Sequence, residues 1–514
     1  MHGANPAVPT RFAGLEGQDM QNLQPMTLLD RRRFIGAGAL ALAGVPRLAL
    51  AQEASRGAGE AKRLSEIIAE FVVGFDLKDV SPLAIERTRL AFIDTMGVML
   101  AGSRSHVAGI AYDMVKAEGS APAASIVGQS SRASPQLAAL ANGVAGHALD
   151  YDFTFMIGQM VAPLIPALLP LAESTGASPA QTMAAFVVGF EVAARFARAN
   201  GNIASTAGWH ATSAIGTIAA AAASARLLKT PAAAIPDVIG ISVSMASGVG
   251  ANYGTMTKPL HSGLAARNGV MAALLGGRGF TANPAAIEGR DGFFGAFLRG
   301  LDWKSDPFHD LGRRFELVER GFRPKLYPCG GLSHTAIEAT LELRDMLGGR
   351  LADITAIKAG VTKYASKRIS DRYPASSENA KFSMPYIGAY TLVHGAPMLA
   401  AFTEEAIRDE KVRALSRKIS LVVDPAFEEY YMGADSPTRV TVSLANGQTV
   451  ERLRFHASGS AQMPLTKAQV EDKFMSCATQ AVDKAVATKL FAALNALGEQ
   501  PTFDEFWPLI RRVA

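Results

Sequence analysis

Cysteine is scarce in this chain of 514 residues, which contains only Cys329 and Cys477. Two thiols cannot form a disulfide framework, and they are too few for an iron–sulfur cluster held by three or four thiolates. Charged residues make up 19% of the chain, and the formal net charge of +5 is spread along it. Because the sequence has no long Lys/Arg block and no basic–aromatic interleaving, we expect no nucleic-acid partner.

Several kinds of motif are also missing. Beyond the N-terminal segment, no run of about 18 uncharged apolar residues could span a bilayer, so a polytopic membrane protein is excluded. The sequence has neither a Walker motif nor a dinucleotide-binding glycine pattern. No His-x-x-x-His or Glu-x-x-His pair falls on one predicted helix. We therefore expect no metal site and no cofactor.

The N-terminal segment at 31–51 predicts an export signal. Arg31 and Arg32 are followed by Phe34 and Ile35 and then by a short, weakly apolar stretch. This layout is typical of twin-arginine signal peptides. An uncleaved anchor or a basic surface helix is the alternative interpretation of the same residues.

The small-x-small pattern at 49–51 predicts cleavage that leaves Gln52 as the new N-terminus. Residues 1–51 would then be the signal peptide, and the small, polar residues 52–61 a linker. The twin-arginine route carries folded proteins, so we expect a periplasmic protein with no stable membrane insertion after cleavage.

The mature chain opens with a long helical region, from 62 to about 320. Apolar residues recur at helical spacing in 65–73, and Ser81 followed by Pro82 predicts a second helix with Ser as N-cap and Pro at its first position. Later helices consist mostly of Ala, Ile, Val and Gly, so they are expected to pack closely at the buried centre. They are predicted at 182–198, 213–228 and 263–275.

The character of the sequence changes at about 321. Residues 355–362 and 419–423 are rich in Ile and Val and predict short strands. An Asn446-Gly447 pair between two alternating runs predicts a hairpin with a type I′ turn. With helices between these strands, the region 321–456 is predicted to be an α+β domain.

Helices return after this region, where Thr466 and Gln469 form a predicted capping box. We therefore predict a mainly α fold. Its large all-helical domain, built from 62–320 and 457–514, is interrupted by the smaller α+β domain at 321–456.

Four short segments place polar side chains among small apolar residues: 142–154, 208–213, 257–263 and 324–331, the last with His334 downstream. In the second and third, imidazole and ammonium groups fall at predicted helix starts, which attract anions and would suit a carboxylate. Each candidate has a structural alternative. Asp150 and Asp152 could be loop acids or N-caps, His210 a structural histidine, Lys258 a surface lysine and Cys329 a small core residue.

Together these segments resemble the MmgE/PrpD family in order and spacing over nearly all of residues 60–510. The family includes 2-methylcitrate dehydratase, cis-aconitate decarboxylase and an iminodisuccinate epimerase. The matching motifs are Asn142-Gly143 with His147-Ala148-Leu149-Asp150-Tyr151-Asp152, Gly208-Trp209-His210, Lys258-Pro259-Leu260-His261-Ser262-Gly263, Glu288-Gly289 with Gly292-Phe293, and Lys325-Leu326-Tyr327-Pro328-Cys329. The resemblance implies a homodimer in which the α+β domain is a lid over the helical domain, with the catalytic site between them.

The resemblance also assigns residues to the site. It implies catalytic roles for Asp150, His210, Lys258, His261 and Lys325. Lys258 and Lys325 would stabilise an anionic intermediate, with His210 or Asp150 as the base and His261 as the acid that protonates a leaving hydroxyl. The predicted substrate-binding residues are Thr154, Gln159, Tyr364 and His334.

Two departures from the family pattern affect the expected reaction. Phe153 replaces the second Asp of an Asp-Asp-Thr step, and Gln159 or Met160 stands where the family has a His that acts in its decarboxylases. Glutamine cannot shuttle a proton at neutral pH. We therefore expect a cofactor-independent, dehydratase-type lyase, related to 2-methylcitrate dehydratase, that acts on a small di- or tricarboxylate.

Three alternatives remain open from the sequence. An epimerase or isomerase could use the same proton abstraction on a dicarboxylate. A periplasmic carboxylate-binding protein that has lost catalysis would explain the two departures. Retention of the fold for assembly only is disfavoured, because structure alone does not require His210, Lys258 and Lys325 together.

Overall fold

The computed structural model describes residues 62–201, 203, 207–427, 429 and 436–511. The predicted signal peptide (1–51) and linker (52–61) lie outside these residues. The described residues belong to one compact unit. The described residues are 56% helical with small sheets, which confirms the prediction of a mainly α fold.

The helices follow one another along most of the described chain. They are α1 (Leu64–Gly74), α2 (Pro82–Gly102), α3 (His106–Glu118), α4 (Pro135–Ala148), α5 (Leu164–Thr175), α6 (Pro179–Ala199), α7 (Ala211–Leu227), α8 (Ile235–Met245), α9 (Thr257–Gly276), α10 (Phe293–Leu298), α11 (Asp306–His309), α12 (Glu316–Glu319), α13 (His334–Leu347), α14 (Lys363–Ser366), α15 (Ser377–Ala380), α16 (Met384–His394), α17 (Glu410–Ser416), α18 (Lys467–Ala478), α19 (Lys484–Asn495) and α20 (Trp507–Ile510).

The strands form two small sheets. They are β1 (Ala124–Ser125), β2 (Arg132–Ala133), β3 (Ile354–Val361), β4 (Ile419–Val423), β5 (Thr438–Leu444) and β6 (Thr449–Arg454). β1 pairs with β2, and the other four lie in the order β4-β3-β5-β6, with β3 parallel to β4 and antiparallel to β5.

The predicted helix starts have the expected caps. The Ser81 side chain accepts a hydrogen bond from the backbone N–H of Ala84, and Pro82 occupies the first position of α2. Thr466 and Gln469 form the predicted capping box at the start of α18. These local interactions satisfy N–H groups that have no partner within the helix.

The small-residue helices lie at the centre of the first hydrophobic core. α7 contains Ala219, Ala220, Ala221, Ala222 and Ala223, all fully buried. At Gly269, where α9 packs against α7, there is no room for a side chain. A Cβ at this position would lie 2.4 Å from the Cβ of Ala220. Small residues on several faces therefore let α9 pack closely, as the sequence predicts.

The second hydrophobic core lies within the region predicted to be α+β. It contains Tyr327 and the buried faces of β3 and β5, with Ile357, Val440 and Val442. After β6 the chain returns to the first core, where Phe474 of α18 and Leu490 of α19 are buried. The assignment of 321–456 as a lid stays a prediction.

The type I′ turn predicted for the hairpin is wrong. β5 and β6 are antiparallel neighbours, as expected, but a type I′ turn needs positive φ at both central residues. Gly447 has a φ of +82°, but Asn446 is not one of the described residues that have a positive φ. The backbone N–H of Gly447 donates to Leu444 O over 3.0 Å, which makes a longer loop over 445–447. Asn446 instead accepts from the Gln448 N–H through its side chain.

Within the described part of the chain, each helix is too short or too polar to cross a bilayer.

Candidate active site

The site is built on the loop that leaves α4. His147 lies in the last turn of this helix, and Asp150 follows with φ +48°. This left-handed conformation costs a non-glycine residue about 1–2 kcal/mol, although Asp tolerates it better than most. The surrounding contacts must therefore hold Asp150 in place, and its side chain is buried.

Two ammonium groups bind the Asp150 carboxylate. The Nζ atom of Lys258 lies 2.8 Å from Oδ1, and the Nζ atom of Lys325 lies 2.9 Å from the same oxygen. Gln159 Nε2 donates to this carboxylate over 2.8 Å. Burial alone would raise the pKa of Asp150, but the two ammonium groups outweigh it and hold that pKa well below its usual range. Asp150 is therefore ionised at neutral pH.

Two different structural features place these lysines. Lys258 lies in the first turn of α9, as predicted from the sequence. Lys325 is placed by a short bridge in which Thr154 N donates to Arg323 O and Arg323 N donates to Thr154 O, each over 2.8 Å. This bridge joins the Asp150 loop to the segment that carries Lys325, whose side chain is only 1% exposed.

A second acid–base pair lies beside the first. His147 Nδ1 is 3.0 Å from both carboxylate oxygens of Asp152, and its Nε2 is 2.9 Å from Lys258 Nζ. Burial lowers the pKa of His147, although Asp152 opposes this effect. The neutral tautomer that fits these contacts donates from Nδ1 to Asp152 and accepts at Nε2 from Lys258.

The other two predicted histidines pair with each other. His210 is the N-cap residue of α7, and its Nδ1 lies 2.9 Å from Nδ1 of His261. Burial, followed by the charge of Lys258, holds the pKa of His210 well below its usual range. Burial lowers the pKa of His261 to about 4. Both rings are therefore neutral at neutral pH, and one Nδ1–H donates to the other ring.

A cavity of about 830 Å³, including its open mouth, lies over Asp150. Four cationic side chains and one carboxylate line it, together with two tyrosines and an apolar wall. The lining residues are Asp150, Thr154, Met156, Ile157, Gly158, Gln159, Tyr253, Lys258, Arg323, Lys325, Gly330, Gly331, Leu332, Tyr364, Arg368, Ile369 and Phe382. The excess of positive charge suits a small polyanion.

The wall of this cavity brings together six of the predicted site residues: Asp150, Thr154, Gln159, Lys258, Lys325 and Tyr364. Among the described residues, it does not include His210, His261 or His334. The His210 ring packs against Tyr253, which does line the cavity, at 4.9 Å between ring centroids. His334 is fully buried against Tyr327, so its position gives it no direct contact with a cavity ligand.

Comparison with known families finds two matching stretches of this chain. The MmgE/PrpD N-terminal domain matches residues 66–306, and the MmgE/PrpD C-terminal domain matches residues 327–496. The chain belongs to the MmgE/PrpD family. The resemblance inferred from the sequence motifs is thereby confirmed.

Curated relatives of this MmgE/PrpD protein cover most of its length. Cis-aconitate decarboxylase of Homo sapiens is 28% identical over 435 residues, which are 82% of this chain and 88% of that protein. The Mus musculus cis-aconitate decarboxylase is 25% identical over 85% of this chain and 91% of its own length. A cis-aconitate decarboxylase-like protein of Aspergillus oryzae is 27% identical, over 86% of this chain and 96% of its own length.

Several site residues of this MmgE/PrpD protein were missed from its sequence. His147 stands in a motif that carries the family resemblance but was assigned no role, and its partners are Asp152 and Lys258. The His-x-x-Asp-x-Asp spacing across a helix end could have indicated this pair. Arg323 and Arg368 stand in no motif that marks them.

His147, Asp150 and Asp152 also form the one group of potential metal ligands found in the described part of the chain, with ligand atoms within 4.8 Å of one another. Their cationic neighbours do not fit a metal. Asp150 Oδ1 already binds the ammonium groups of Lys258 and Lys325. A divalent cation here would stand beside two positive charges, so the electrostatics favour an anionic ligand instead.

Proposed function

We propose that this protein is a cofactor-independent lyase that moves a proton on a carbon next to a carboxylate in a small di- or tricarboxylate. The cavity carries the proposal: its wall combines four cationic side chains with one carboxylate, Asp150. The cationic residues are Lys258, Lys325, Arg323 and Arg368. Curated relatives named as cis-aconitate decarboxylases support an enzyme that acts on a carboxylate.

Substrate binding would change the basicity of Asp150. A substrate carboxylate that takes a share of the hydrogen bonds from Lys258 and Lys325 weakens the stabilisation of the Asp150 anion. The pKa of Asp150 then rises from its depressed value, and the carboxylate becomes a better base. The proton from the substrate carbon would pass to Asp150, and its electron pair would enter the adjacent carboxylate as an enediolate.

The enediolate needs positive charge where the new negative charge develops. Lys258 and Lys325 supply it directly beside Asp150. Burial raises the pKa of Tyr253, so its hydroxyl stays protonated and acts as a hydrogen-bond donor in the cavity wall. His210 and His261 lie behind Tyr253. We assign these two neutral rings to supporting Tyr253 rather than to direct contact with the substrate.

Dehydration is the elimination that the polar network favours. Both hydrogen bonds from Gln159 Nε2 go to Asp150 and Asp152. An amide cannot donate a proton to a carbanion that decarboxylation leaves behind. In dehydration, the proton from the substrate carbon goes to Asp150, and the hydroxyl on the neighbouring carbon leaves as water after taking a proton from the Lys325 ammonium group, whose pKa is lowered by burial. Asp150, 2.9 Å from Lys325 Nζ, then returns a proton to that lysine.

Decarboxylation is the second candidate, and the names of the relatives favour it. In that reaction a carboxylate leaves as carbon dioxide, and the resulting carbanion takes a proton from a cavity acid. Lys325 is the proton donor in this reaction, since burial lowers its pKa although Asp150 opposes this effect. Epimerisation would return the proton to the same carbon from the opposite face.

The experiment incubates the purified protein with citrate-like hydroxy acids and with cis-aconitate in deuterated water and follows products by NMR. Loss of water with an unsaturated product supports dehydration, and carbon dioxide release supports decarboxylation. Deuterium exchange or inversion without net loss supports an epimerase. Saturable calorimetric binding without deuterium exchange or product over hours would instead identify a carboxylate-binding protein and overturn the lyase proposal.

We also propose export by the twin-arginine route to the periplasm, with removal of residues 1–51. The support is the Arg31-Arg32 pattern and the small residues Ala49 and Ala51. Mass spectrometry of the exported protein should find Gln52 at the N-terminus. An exported protein that retains 1–51 would contradict this proposal.

A homodimer is the assembly that we propose. Ile110 and Met114, one turn apart on α3, are 51% and 50% exposed. Large apolar side chains on one helix face are common at protein interfaces. Light scattering after gel filtration should give about twice the chain mass, and Ile110→Glu should shift it to the monomer. A monomeric wild-type protein at micromolar concentration contradicts the assignment.

A further inference from the structure

We propose that Lys473 is a positioning residue for the candidate site. It fixes the backbone between Asp150 and Asp152 without contacting the cavity. This inference rests on the proposed function only for its effect on turnover. Its structural part, that Lys473 immobilises the loop, can be tested without a substrate.

Three buried lysines donate hydrogen bonds to backbone carbonyls of one short segment, 148–151. They are Lys381 to Ala148 O at 2.8 Å, Lys325 to Asp150 O at 2.7 Å and Lys473 to Tyr151 O at 2.9 Å. The three donors come from distant parts of the chain. The segment is thus held from several sides at the point where Asp150 has its left-handed backbone.

The donors on Asp150 O and Tyr151 O control the direction of the two acidic side chains. These oxygens belong to consecutive planar peptide groups on either side of the Tyr151 Cα. Fixing both planes fixes φ and ψ of Tyr151. It thereby sets the orientation of Asp150, which binds Lys258, relative to Asp152, which binds His147. Lys325 also binds the Asp150 carboxylate, so replacing it would change the charge of the cavity as well as the backbone contact. Replacing Lys473 would remove a backbone contact and leave the charge of the cavity unchanged.

Lys473 is itself rigidly placed. Its Nζ atom lies 2.6 Å from Asp94 Oδ1 and 4.1 Å from the centre of the Tyr151 ring. Both members of the Lys473–Asp94 pair are buried, and the pair joins α18 to α2. Among the described residues, the wall of the candidate cavity includes neither of them. Lys473 therefore acts on the site through the Tyr151 carbonyl.

The test compares variants that separate charge from positioning. Asp94→Asn/Lys473→Met removes the buried charge pair together with the donor to Tyr151 O, so it leaves no unpaired ion. Asp94→Asn alone keeps the Lys473 donor. Glu191→Gln/Arg195→Met is the matched control, because it removes another fully buried ion pair, on α6, away from the cavity.

We expect faster hydrogen–deuterium exchange in a peptide covering 148–155 for Asp94→Asn/Lys473→Met only. With an active substrate, its kcat should fall about 10-fold or more, since small displacements of reacting groups are costly. KM should change by less than about threefold, because the cationic residues of the cavity remain. The acidic limb of the kcat/KM profile should move to higher pH as Asp150 loses its placement beside the lysines.

If Asp94→Asn/Lys473→Met has the same hydrogen exchange and the same kcat as the wild type, the inference is overturned. It is also overturned if the Glu191→Gln/Arg195→Met control shows the same faster exchange and the same loss of kcat. If the wild-type protein turns over no carboxylate, the proposed function fails. The exchange measurement still decides whether Lys473 immobilises the segment. If the wild type is active and Asp94→Asn/Lys473→Met behaves like it, the inference about Lys473 fails and the proposed function stands.

Discussion

Gly143 and Gly263 lie against each other where α4 and α9 cross. A Cβ on Gly143 would stand 2.7 Å from the Cα of Gly263, closer than packed carbon atoms approach. The crossing brings the last turn of α4 beside the first turn of α9. It thereby places His147 Nε2 2.9 Å from Lys258 Nζ.

Gly143→Ala should therefore damage both stability and activity. The added methyl group pushes the helices apart, at a cost of about 1–3 kcal/mol in the free energy of unfolding. It also lengthens the contact between Lys258 and His147. Thermal denaturation and turnover measure the two effects.

Gly109→Ala is the matched control for this substitution. Gly109 also lies within a helix, α3, but a Cβ there would have no neighbour within 4 Å. Alanine should leave stability unchanged or raise it slightly. Equal behaviour of the two variants would contradict the close-crossing account.

Lys258→Ala should lower kcat/KM about 10²–10³-fold, the usual loss when one charge-stabilising donor is removed. Lys325 would still bind Asp150, so the protein should fold. Lys489→Ala, an exposed lysine on α19, is the control and should leave kinetics unchanged. Turnover that survives in Lys258→Ala would remove this ammonium group from the mechanism.

The contact of Lys258 and Lys325 with Asp150 shows which part of the candidate site can be predicted from the sequence and which part cannot. The resemblance of their motifs to the MmgE/PrpD family identified all three residues. The spacing along the chain could not show that both ammonium groups share one carboxylate oxygen. That arrangement depends on the bridge between Thr154 and Arg323, two residues that are 169 positions apart.

Residues without a local pattern were beyond prediction from the sequence. Arg368 lies over the Tyr253 ring, 5.3 Å from its centre, although the two residues are 115 positions apart in the chain. In the hairpin, a local sequence pattern was present but predicted the wrong type of turn. Asn446-Gly447 correctly indicated a reversal between two strands, but the side-chain hydrogen bond of Asn446 and the left-handed Gly447 favour a longer loop.

The neutral histidines predict a pH dependence of stability. Burial depresses the pKa of His210 and brings that of His261 to about 4, against 6.5 for an unperturbed histidine. Between pH 6.5 and about 4, the unfolded chain therefore binds more protons than the folded one. The free energy of unfolding should fall as the pH falls through this window.

Urea denaturation at several pH values measures this slope, and His261→Gln should reduce it. His106→Gln replaces an exposed histidine and is the control. The depressed pKa of Asp150 adds to this slope only at the acidic end of the window, close to and below the unperturbed pKa of 3.8, and it does so equally in wild type and His261→Gln. A slope that is the same in wild type and His261→Gln would contradict the assignment.

Chelation should leave the activity intact. The potential ligands His147 and Asp150 are bound to Lys258, and a metal ion would displace these contacts at the cost of charge repulsion. Dialysis against EDTA followed by assay checks this expectation. A loss of turnover that a divalent cation restores would show that the carboxylate–imidazole group binds a metal.

The most direct test of the account is a crystal structure of the protein with a bound tricarboxylate. We expect the ligand in the cavity over Asp150, with one carboxylate within hydrogen-bond distance of Lys258 Nζ and Lys325 Nζ. A second carboxylate should face Arg323 or Arg368. A ligand bound elsewhere, with this cavity empty at a concentration that saturates binding in solution, would contradict the account.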